Sequence, residues 1–66
     1  MDKSEFQRDQ NVIIIDAKLR KENSVLTGFE LVAVSSQVVA GFNYKLTYSN
    51  QRGAERGYSI FVNLNG

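Results

Sequence analysis

The chain has 66 residues, no Cys and no His, and eight basic residues against seven acidic ones, for a formal net charge of +1. That length holds one small domain, which buries only about 60% of the surface its unfolded chain exposes. The missing Cys and His exclude disulfides, Cys/His zinc sites and any Cys or His catalytic group. Charges of both signs are interspersed, which gives neither a nucleic-acid footprint nor a polybasic membrane patch. The longest apolar runs, "VIII" and "LVAV", are too short for a membrane span or a signal-peptide core. No nucleic acid and no membrane are therefore expected as partners, and a cytoplasmic setting is expected.

From the N-terminus, Val12, Ile15, Leu19 and Leu26 fall on one stripe of a helix, with Lys18, Arg20, Lys21 and Glu22 on the other faces. The spacing predicts one helix over about residues 5–25. Ser4 followed by Gln7 fits a capping box, and Asp9 is a second candidate start. The "VIII" run pulls locally toward a strand, since β-branched side chains suit a pleated surface. Its apolar spacing nonetheless reads as core filling in a helix. Thr27 and Gly28 then end the segment, because Gly after the last periodic residue is a common helix stop.

Beyond Gly28 the period changes to two. Phe29, Leu31 and Ala33 alternate with Glu30, Val32 and Val34, and Phe42, Tyr44, Leu46 and Tyr48 alternate with Asn43, Lys45, Thr47 and Ser49. Tyr58, Ile60, Val62 and Leu64 alternate with Ser59, Phe61, Asn63 and Asn65. Strands are predicted over about 29–37, 42–50 and 57–65. The connection from Ser49 to Gly57 is polar and glycine-punctuated, a solvated loop whose Arg52 and Arg56 read as surface charge.

The other connection, "QVVAG", is apolar. A turn built only to reverse the chain takes Asn, Asp, Gly or Ser at its tip, whereas this one offers Val38 and Val39. Short connections pair consecutive strands antiparallel, and a helix with one apolar stripe covers one face of the sheet. The fold class expected is α+β, a single domain over 1–66 with one helix on an antiparallel sheet of three to four strands. The hairpin tip of Gln37, Val38, Val39, Ala40 and Gly41 then projects as an apolar wedge. Asp9, Asp16, Glu22 and Glu30 form no pair with acid/base spacing, so the chain does not read as an enzyme, and no cofactor or metal is expected.

The "QVVAG" stretch, followed by the strand "FNYKLTYSN" and preceded by a helix and the strand "GFELVAVSS", resembles the Gln-x-Val-x-Gly loop of the cystatins. These are tight-binding inhibitors of papain-like cysteine proteases. The absence of Cys makes the chain look most like the single-domain stefin branch. The resemblance runs from Val12 to Leu64 and is concentrated in Gln37 to Tyr44. It implies a cystatin-like fold in which Gln37, Val38, Val39, Ala40 and Gly41 enter the active-site cleft of a papain-like protease. The loop blocks that cleft without offering a scissile bond in register, and Tyr44 anchors the strand behind it.

The family's N-terminal trunk carries a Gly before the helix, and its second hairpin commonly carries Pro-Trp. This chain has no Gly before Gly28, no Pro and no Trp. The resemblance therefore implies a member shortened at both ends, with weaker inhibition. It also implies a strand ending at Leu64 as a free sheet edge, and a homodimer formed by strand or domain exchange.

Overall fold

The computed structural model describes residues 1–38 and 41–63, without the side chains of Val38 and Asn63. Its first helix, α1, spans Lys3–Phe6. Asp2 caps it, accepting from the Glu5 backbone N–H and from the Ser4 hydroxyl, each at 2.8 Å. Those bonds favour the ionised form, and they hold the Asp2 carboxyl below its ordinary value. The second helix, α2, spans Gln10–Glu22. Asp9 starts it, its Oδ1 accepting from Asn11 N at 2.8 Å and Val12 N at 3.2 Å.

The continuous helix expected over about 5–25 is thus divided. An aspartate side chain that satisfies the first free N–H groups of a helix defines a start, and this chain has one at Asp2 and another at Asp9. Ser4 serves Asp2 and caps nothing itself. At the other end, both the backbone N–H and the side-chain amide of Asn23 donate to Leu19 O, at 2.8 and 3.0 Å, closing α2 five residues before the expected stop at Gly28. Ser24–Gly28 form a 3₁₀ turn instead.

The expected stripe does form the core. Val12, Ile15, Leu19 and Leu26 are all buried, together with Phe6 from α1 and Val34, Tyr44, Leu46 and Tyr48 from the sheet. Fully burying a side chain of this size contributes about 1.5–3 kcal/mol, which is why the helical period overrides the β-branched run. The "VIII" segment splits accordingly, with Ile13 and Ile14 left 51% and 65% exposed on the outer side of α2. Arg20 ties the layers together, its Nε 3.1 Å from Asp16 Oδ1 and its Nη1 donating to Leu26 O at 2.8 Å. Its guanidinium carbon lies 5.3 Å from the Tyr48 ring centroid.

Three strands, β1 (Glu30–Val38), β2 (Gly41–Ser49) and β3 (Glu55–Asn63), make an antiparallel sheet in the order β1-β2-β3. The helix layer covers one face, as expected of the α+β class. Within β1 the alternation does not run straight. Leu31 pairs with Tyr48 and Ala33 with Thr47, so Val32 is an extra residue in a bulge. The bulge inverts the phase: Val34, not Ala33, joins Leu31 on the core side. Since side chains alternate with period two, one inserted residue moves every later one to the other face.

The β2–β3 connection is shorter than the Ser49–Gly57 loop expected, because Glu55, Arg56 and Gly57 already pair with Ser49, Tyr48 and Thr47. Asn50 Oδ1 organises what remains, accepting from Arg52 N and Ala54 N at 3.0 Å each. Gly53 sits at φ 83°, the left-handed region where a Cβ is unfavourable.

Candidate functional site

The hairpin between β1 and β2 forms one end of the sheet. Its stem keeps strict register above the bulge, with Ser36 opposite Tyr44, Gln37 opposite Asn43 and Val38 opposite Phe42. Ser36 shares the phase of Val34 and is exposed, although Tyr44 opposite it is buried. From α2, the Asn11 side-chain amide donates to the Tyr44 hydroxyl at 3.2 Å. Tyr44 is buried, and its ring lies 6.1 Å from that of half-buried Phe42. An aromatic pair thus closes the core beneath the hairpin.

Of the five residues expected at the tip, Gln37 is exposed at the end of β1 and Gly41 is buried at the start of β2. Val38 has its backbone in the ladder with Phe42. Val39, Ala40 and the side chain of Val38 lie outside the described residues, so the apolar wedge itself does too. The structure places the base of the expected site, Gln37 and Gly41, at one end of the sheet.

Gly41 also pairs with Asn63, which brings the end of β3 beside the hairpin. Across the face that carries no helix, Gln37, Asn43 and Phe61 then form one row. Phe61 is 54% exposed on a face that also carries Ala33, Ser35, Lys45, Thr47 and Ser59. The sequence reading put Phe61 in the polar phase of its strand but assigned it no role. An aromatic in the solvent phase of a strand is the only signal it offers, and a single exposed apolar residue is ordinary on its own.

No family model, curated protein or solved structure matches this chain. A separate groove between the helices and β1, lined by Phe6, Val12, Ile13, Asp16 and Leu31, lies near the start of β1, away from the hairpin, and contains none of the expected residues. Among the described residues no group of three Asp or Glu could hold a metal ion. No described helix is long and apolar enough to cross a membrane.

Proposed function

We propose that this chain is a cystatin-like inhibitor of papain-like cysteine proteases, with Gln37, Val38, Val39, Ala40 and Gly41 as the loop that enters the active-site cleft. One observation carries the reading. The "QVVAG" segment joins two antiparallel strands that stay paired up to Val38 and Phe42, so the loop is carried on an ordered stem at one end of the sheet. A loop held by a paired stem loses little conformational entropy on docking, and burying valines in a cleft removes apolar surface from water. At roughly 25 cal/mol per Å², two valines contribute a few kcal/mol. The inhibitor needs no catalytic group of its own, and a cytoplasmic setting suits a chain with no Cys to oxidise.

Titration of active papain with the 66-residue chain tests the proposal. Loss of protease activity at nanomolar to micromolar inhibitor, weakened at least tenfold by Val39→Asp, is the expected outcome. Full protease activity at high micromolar inhibitor overturns it. A second reading, a cystatin-like self-assembly module without inhibition, draws support from the outer edge of β3. That edge pairs with no strand among the described residues.

A further inference from the structure

The two outer edges of the sheet are unequal. On β1, the bulge at Val32 interrupts the edge, the Met1 amino group donates to Val34 O at 3.0 Å, and α1 lies alongside. Bulges and covering segments are the devices that keep an edge from pairing with another chain. On β3 no such device is present among the described residues. From Gly57 to Asn63 the strand is "GYSIFVN", with no charge and no proline. A run of this kind, rich in β-branched and aromatic residues, is a template for another strand.

The core face is also incomplete at that edge. Tyr44, Leu46 and Tyr48 on β2 are buried, whereas Tyr58, Ile60 and Val62 on β3 remain half-buried. The cover over the apolar face is thinner at β3 than at β2.

We infer that β3 pairs with β3 of a second copy of this chain, antiparallel about a two-fold axis at Ser59, joining two three-stranded sheets into one of six strands. Three features select that register. Ser59 is the midpoint of the nine-residue strand, so pairing there uses its full length. It sets Phe61 opposite Gly57 of the second copy and Gly57 opposite its Phe61. An aromatic ring beside a strand glycine covers exposed backbone, and the position a Cβ of Gly57 would take has nothing within 4 Å. Finally, it opposes no like charges, with Arg56 facing Val62 and Glu55 facing Asn63. The exposed phenylalanine and the mid-strand glycine thereby acquire one explanation. On the core side, Tyr58 and Ile60 of each copy face one another across the junction and extend the apolar row.

This dimer deepens the self-assembly reading and does not depend on protease inhibition. Asn63 borders the hairpin within each copy and faces Glu55 of the other, so the two hairpins lie at opposite ends of the joined sheet and both stay open. Papain titration and sedimentation therefore fail separately.

Sedimentation velocity of the full chain from low to high micromolar concentration tests the inference, with Ser59→Glu as the decisive variant. Ser59 is exposed and lies across from Lys45 within the same copy, so the new carboxylate has a cation beside it in the monomer and its own twin opposite it in the dimer. The expected results are a concentration-dependent dimer, a several-fold rise in its dissociation constant for Ser59→Glu and for Phe61→Ser, and recovery of association when Ser59→Glu is mixed with Ser59→Lys. A monomer throughout the range overturns the proposal. So does a dimer indifferent to both exposed-face variants, the result that exchange of the helix-bearing segment would give.

Discussion

The Tyr48 hydroxyl donates to Asp16 Oδ1 at 2.6 Å, joining the middle of α2 to the far end of β2 across a separation of 32 residues. Asp16 is one turn before Arg20, which bonds the same carboxylate oxygen and lies over the same tyrosine ring. Three side chains thus fix the position of the helix along the sheet. Apolar contacts alone are non-directional and would permit sliding; this bonded group does not.

Tyr48→Phe removes only the hydroxyl and leaves the ring that fills the core. Hydrogen bonds to charged groups contribute about 1.5–3 kcal/mol, and Asp16 keeps Arg20 as a partner, so a loss near the lower figure is expected. Urea unfolding followed by far-ultraviolet circular dichroism measures it. A change indistinguishable from zero shows that the contact does not position the helix.

Alkaline pH reads the same contact. Burial, then the hydrogen bond to Asp16 and its negative charge, raise the Tyr48 hydroxyl above its ordinary value. A group whose folded pKa is raised contributes stability that is complete below its unfolded pKa and is lost as pH rises above it. With an unfolded tyrosine near 10, the urea midpoint should hold steady up to about pH 9 and fall beyond about pH 10. Tyr48→Phe should flatten that fall, and an equally steep decline in the variant contradicts the assignment.

The two helix starts differ in consequence. Asp9→Ala removes the acceptor for Asn11 N and Val12 N and should cost about 0.5–2 kcal/mol. Ser4→Ala should change stability by less than about 0.5 kcal/mol, because Ser4 is exposed and only supports Asp2. Thermal denaturation of the pair decides which residue starts the main helix. A larger loss at Ser4 would restore the capping box that the sequence suggested.

In the β2–β3 turn, Gly53→Ala places a Cβ at φ 83° and should destabilise by about 1–2 kcal/mol. Space is not the issue, since a Cβ there meets nothing within 4 Å. Gly57→Ala, in ordinary extended backbone, serves as the control for the intrinsic effect of replacing glycine. Equal stability of the two variants in a monomeric sample rules out strain at Gly53.

The helical stripe was legible because Val12, Ile15, Leu19 and Leu26 recur at a period that no strand shares. The division at Asp9 was harder to see, since neither Gly nor Pro marks it and a helix pattern continues through it. The phase change at Val32 left no trace at all: in "LVAV" every position is apolar, so either alternation fits, and only pairing with β2 decides. At the candidate site, the hairpin could be read from its two flanking alternations. The proximity of Phe61 could not, because it depends on β3 lying beside β2 with Asn63 at Gly41.

The bulge has a bearing on the hairpin. Two constraints act on β1: Leu31 must face the helices, and the stem beside Phe42 must keep the alternation that the loop dictates. Without a spare residue these would be one constraint, and the phase set at Leu31 would run unbroken to Gln37. Val32 uncouples them. It acts as slack in the ribbon, letting the two halves of β1 present opposite phases to the helices.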